Sequence, residues 1–92
     1  MAGRSNKYNK LWSIITPANK KDVINYVRET LDKLNAIYAE ESAEMDTYVF
    51  YLIGTQHRFM SICEKLGTVK LYSGGCEMLD VPSQQNVGGD KE

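Results

Sequence analysis

Cysteine, proline, histidine and tryptophan are all scarce in this chain: its 92 residues hold two, two, one and one of them respectively. Two cysteines, Cys63 and Cys76, are too few for a disulfide framework, and a free thiol on an apolar helix face suits a reducing compartment. The lone His57 has neither a second histidine nor a nearby cysteine, so no zinc site is expected. No apolar run approaches the ~20 residues of a membrane span, and no apolar block resembling a signal peptide opens the chain. A cytoplasmic location is therefore expected. A glycine-rich phosphate loop after a strand is missing, as is any spacing that pairs a nucleophile with a base. These absences leave no reason to expect an enzyme, a metal or a cofactor.

What is present is organised around Glu44–Leu66, the longest apolar segment, which contains no proline. Met45, Val49, Leu52, Gln56, Phe59, Cys63 and Leu66 recur at steps of four and three, the period of a helix presenting one seam. Within it Thr55-Gln56-His57-Arg58 puts four polar residues in succession. On a helix such a run covers more than one turn, so part of it must point inward and find a partner.

The rest of the chain reads as helical too. Residues 1–5 are a flexible leader. From Asn6 to Ile15, Tyr8, Leu11, Trp12 and Ile15 fall at helical spacing, a short helix that must dock on something larger. Thr16-Pro17 reads as an N-cap followed by proline at the first helical position. A second helix then runs from Pro17 to Glu40, with Ile24, Val27, Leu31, Leu34 and Tyr38 on one side. A short connection at Glu40–Ala43 makes helices two and three an antiparallel αα-hairpin. Gly67 is a natural stop, Thr68–Tyr72 alternates like a short strand or extended arm, and residues 73–92 form a tail, disordered from Ser83 onward. The expected fold is all-α, with one helical domain over residues 6–72.

Such a hairpin has too small a core for its apolar content. Phe50, Ile53 and Met60 lie off the main seam of the third helix, which points to a homo-oligomer. Leu52, Gln56, Phe59, Met60 and Cys63 are the expected oligomer interface, with Gln56 fixing register as polar residues do in coiled coils.

Residues 1–21 carry five cations and no acid, so an anionic partner would be drawn there. Tyr8 and Trp12 stand among these lysines. They read either as rings that stack on nucleobases or as the docking face of the first helix. A long nucleic acid is a poor partner, because the third helix is mostly apolar and the second is acidic. A membrane surface would need a larger apolar face than residues 4–15 offer. A small anion held between subunits by Tyr8, Lys20 or Lys21 and Arg58 fits the charge layout better.

Three pieces in order carry a family resemblance: the aromatic-bearing N-terminal segment, the helix with Ile24-Asn25-Tyr26-Val27, and Gln56-His57-Arg58-Phe59-Met60-Ser61-Ile62. Together they resemble the phage-encoded cyclic-nucleotide sponges that counter CBASS defences, over about residues 8–66. The resemblance implies a helical-hairpin homo-oligomer, a hexamer in family members, that sequesters cyclic di- or trinucleotides between subunits in the host cytoplasm without cleaving them. Tyr8 would match the stacking aromatic, and Lys20 or Lys21 the phosphate-binding lysine. The competing expectation is a small helical protein–protein interaction module, an inhibitor or adaptor, that uses the apolar face of the third helix.

Overall fold

Alternation, not helical periodicity, governs the first element. In the computed structural model, which describes residues 9–82, Lys10–Pro17 is a β-strand, β1. Trp12, Ile14 and Thr16 are buried, while Leu11, Ser13 and Ile15 point to the other side. Within the described residues, the short helix expected over residues 6–15 is therefore replaced by this strand. Trp12 and Ile15, neighbours on a helix, lie on opposite faces of a strand.

The chain continues as helix α1 (Lys21–Lys33), strand β2 (Tyr38–Ala43), strand β3 (Thr47–Gly54), helix α2 (Gln56–Leu66), and the short strands β4 (Lys70–Tyr72) and β5 (Gly75–Glu77). The five strands form one sheet in the order β2-β3-β1-β5-β4. β1 lies at its centre, antiparallel to β3 and parallel to β5. The all-α hairpin is thus overturned: this is a mixed α/β fold. The expected helix from Pro17 to Glu40 divides into α1 and β2. The expected helix from Glu44 to Leu66 divides into β3 and α2. The boundary placed at residue 73 falls between two paired strands, and Cys76 and Met78 of the supposed tail are fully buried. Residues 1–5 of the expected leader and 83–92 of the tail lie outside the described residues.

The physical reason is clearest in β3. Thr47–Gly54 reads TYVFYLIG, apolar at nearly every position, so it satisfies a helical and a strand period equally. Its aromatic and β-branched content favours the strand. Tyr48, Phe50 and Leu52 then face one way and Val49, Tyr51 and Ile53 the other. At Thr55 the period changes: its hydroxyl accepts from the Arg58 backbone N–H at 3.1 Å, a helix N-cap. The polar run 55–58 is the exposed first turn of α2, so it needs no buried partner.

One side of the sheet carries both helices. Trp12 and Ile14 of β1, Phe50 and Leu52 of β3 and Cys76 of β5 form one core with Val23, Ile24, Val27 and Leu31 of α1 and Phe59, Ile62, Cys63 and Leu66 of α2. The helices run antiparallel, and each closes the other's C-terminal end. Tyr26 Oη donates to the Leu66 carbonyl at 2.9 Å, and Arg58 Nη2 donates to the Leu34 carbonyl at 2.8 Å. Unpaired carbonyls at helix C-termini carry partial negative charge, so both donors are well placed. Gly67, at φ 97°, ends α2 with its N–H on the Cys63 carbonyl, as the sequence suggested.

Candidate functional site

Of the expected ligand residues, Tyr8 lies outside the described residues. Trp12 belongs to the core: its ring stacks on Phe59 with centroids 4.6 Å apart, and its indole N–H donates to the Gly54 carbonyl at 2.8 Å. The docking-face alternative for Trp12 is the one realised, on a strand instead of a helix. Lys20 pairs with Asp80 at 2.7 Å, which holds its ammonium above the ordinary lysine range. Lys21 is exposed at the start of α1. Arg58 sits against the far end of α1, about 20 Å away for a helix of this length. Within one copy these cations do not converge on a common point.

The expected oligomer interface divides in the same way. Leu52, Phe59 and Cys63 are buried inside the single chain, while Gln56 and Met60 are exposed on α2. Leu52, Phe59, Cys63 and Leu66 of that seam are thus consumed by intramolecular packing. Cys63 and Cys76 are both free, buried thiols. The adjacent Cys63 sulfur, together with burial, pushes the Cys76 thiol well above the usual range.

Polar groups cluster between α1 and the β2–β3 hairpin. Arg28 donates to both Glu40 oxygens, Nε at 2.9 Å and Nη2 at 2.7 Å. Tyr48 Oη donates to Glu40 Oε1 at 2.8 Å, and Arg28 Nη1 donates to Asn25 at 2.9 Å. Arg28 holds the Glu40 carboxyl below the usual carboxylate range. Burial, aided by the bond to Asp32, pushes the Tyr38 phenol up to about 12. These groups satisfy one another, so the cluster is a structural brace with no uncommitted charge at its centre. A depression of about 490 Å³ beside α1 is lined by three acids, Asp22, Glu29 and Asp80, with Asn25, Tyr26, Val81 and Pro82, and Asp80 is already taken by Lys20.

The surface that nothing among the described residues covers is the side of the sheet away from the helices. Leu11, Ser13, Ile15 and Pro17 of β1 face it, as do Val49, Tyr51 and Ile53 of β3 and Ala39 and Glu41 of β2. Val49 is buried yet stands outside the main core, as its outward orientation requires. Leu11 is 61% exposed, Ile53 71%, and Ile37, just before β2, 91%. These three and Tyr51 line an open apolar groove of about 440 Å³. The solvated face of an antiparallel sheet ordinarily alternates to polar residues. This one does not.

The sequence marked Ile53 as surplus to one seam but assigned the surplus to a helix. The alternation Leu11-Trp12-Ser13-Ile14-Ile15-Thr16 was the signal that would have placed Leu11 and Ile15 on this surface. Comparison with protein-family models, with curated proteins and with solved structures returns no match. The helical hairpin that the sponge resemblance implied is not the architecture of this chain. Among the described residues, no helix is long and apolar enough to cross a membrane.

Proposed function

We propose that this chain is a non-enzymatic protein-interaction module whose working surface is the open face of its sheet. The observation that carries the reading is the exposure of Leu11, Ile37 and Ile53 around one groove, on a face continued by Ile15 and Tyr51. Contiguous apolar patches exposed on a protein surface mark interaction sites. Burying one such side chain in a partner stabilises a complex by about 1.5–3 kcal/mol. The module expected from sequence used the third helix; the helix face is spent on the core, and the sheet takes its place.

The test places a benzophenone side chain at position 53 and, as a control, at exposed Glu64 on α2. Both variants are expressed in cells and irradiated. A discrete protein adduct from position 53 and none from position 64 is the expected result. Equal or absent adducts from both positions would remove the reading.

A further inference from the structure

Strand register lines up the charges of the open face in a way that selects its partner. One row crosses the whole sheet: Glu41 on β2, Val49 on β3, Ile15 on β1, Glu77 on β5 and Lys70 on β4. Glu41 and Lys70 stand at opposite ends of that row. Among the described strand residues, the only other charge on this face is Glu77, the cross-strand neighbour of Lys70. The next row, Ala39, Tyr51, Ser13, Gly75 and Tyr72, is uncharged.

We infer that the occupant of this face is a second copy of the chain. The two copies are related by a two-fold axis that runs along β1, so that Glu41 of each lies over Lys70 of the other. This rests on the interaction-face reading and specifies its partner. A rotation about an axis parallel to the strands exchanges the two edges of the sheet, so β2 covers β4 of the partner and β1 covers β1. Acid then meets base at both edges, while Ile15 and Leu11 meet their own equivalents at the centre. A two-fold axis running across the strands would instead lay β2 on β2 and leave both charges without a partner. Such sheets pack about 10 Å apart with strands nearly aligned, which a lysine side chain spans.

Edge-to-edge association is opposed by the same residues. Two β2 strands paired antiparallel about Glu41 would set the two Glu41 side chains against each other, and like charges directly opposite destabilise a pair. β4 has only three residues. Self-association is therefore directed to the face.

The size of the face sets the strength of the contact. Strands ~4.8 Å apart and ~3.4 Å per residue give five strands of about six residues an area of roughly 500 Å². That falls below the about 800 Å² per partner of a standard interface, in the range of weak, reversible complexes. A weak, reversible dimer is the expected result.

Sedimentation equilibrium on the full chain, from about 5 µM to 1 mM, tests this. The chain dimerises, and Glu41→Lys and Lys70→Glu each weaken dimerisation by about tenfold or more, because each sets like charges opposite one another. Mixing the two variants restores a one-to-one dimer. The lysine introduced in one variant then faces the glutamate introduced in the other at one edge, and the native pair of Glu41 and Lys70 stands at the other. Circular dichroism checks that both variants are folded. If either is not, Glu41→Cys mixed with Lys70→Cys and treated with a bismaleimide that spans about 10 Å supplies the second arm. The expected product is a cross-link between chains that neither variant forms alone.

A dimer indifferent to both reversals, or one that mixing does not restore, overturns the inference. A chain that stays monomeric at 1 mM while position 53 cross-links a different protein overturns the second copy and leaves the interaction face standing. Monomer with no adduct overturns both.

Discussion

Tyr72 Oη and Ser13 Oγ share a hydrogen bond of 2.9 Å that reaches from β4 to β1 over Gly75 of β5. Gly75 packs so tightly on β1 that a Cβ there would stand 2.0 Å from the Ser13 carbonyl oxygen. Backbone cannot yield that distance without breaking the parallel ladder. Gly75→Ala should therefore cost about 3 kcal/mol, at the upper end for overpacking. A urea denaturation series reads it as a lowered midpoint. An unchanged midpoint would mean that β5 is not held against β1 in this way.

Core and open face should respond oppositely to truncation. Phe59, 1% exposed and stacked on Trp12, should lose about 3–5 kcal/mol as Phe59→Ala. That is a large part of the roughly 5–14 kcal/mol expected for a domain this size. Ile53→Ser should change the stability of the monomer by no more than about 0.5 kcal/mol. Thermal unfolding at low concentration separates the two. A large loss at Ile53 would make the open face part of the folded core.

The antiparallel helices are joined at both ends by one side-chain donor each. Tyr26→Phe removes the bond to the Leu66 carbonyl, and Arg58→Ala removes the bond to the Leu34 carbonyl. Each should cost about 1 kcal/mol, the usual net worth of such a bond. Having no shared partner, the two losses should add. Denaturant midpoints of the two single variants and the double variant provide the check.

Acid should loosen the brace around Glu40. Its folded-state pKa is depressed, first by the Arg28 hydrogen bonds. Stability from this group is therefore fully present above the unfolded carboxylate value of about 4.3. It is lost as pH falls through the lower folded value. Arg28 is partly solvent-exposed, so screening reduces the effect to about 1 kcal/mol. Glu40→Gln should flatten the pH dependence below about pH 5. An acid limb identical in the two proteins would show that the Arg28–Glu40 pair contributes nothing.

What the sequence revealed divides along chemical lines. Local punctuation was legible: Gly67 does stop a helix, Cys63 is a buried free thiol, and Ile24, Val27 and Leu31 do form the buried stripe of α1. Period was not legible where a strand is apolar on both sides, because TYVFYLIG matches any apolar template. β2 was hidden by composition. Its YAEESA has a helix-compatible, turn-like polarity, and it becomes a strand only because β3 lies beside it. The hairpin turn carries Met45 and Asp46 at positive φ without the Asn-Gly or Asp-Gly pair that usually announces one. The candidate site was hidden for the same reason, since a face exists only once strand register is known. Thr55 stands out in the sequence as part of an anomaly, and it is the cap that begins α2.

The central claim, that the open sheet face is the docking surface and takes a second copy, is tested most directly by following backbone amide resonances as the chain is diluted from millimolar to micromolar concentration. Shifts are expected at Leu11, Ser13, Ile15, Ala39, Glu41, Tyr51, Ile53, Lys70 and Tyr72, with the outer surfaces of α1 and α2 unchanged. Shifts confined to those helices, or no shift at any position, would contradict it.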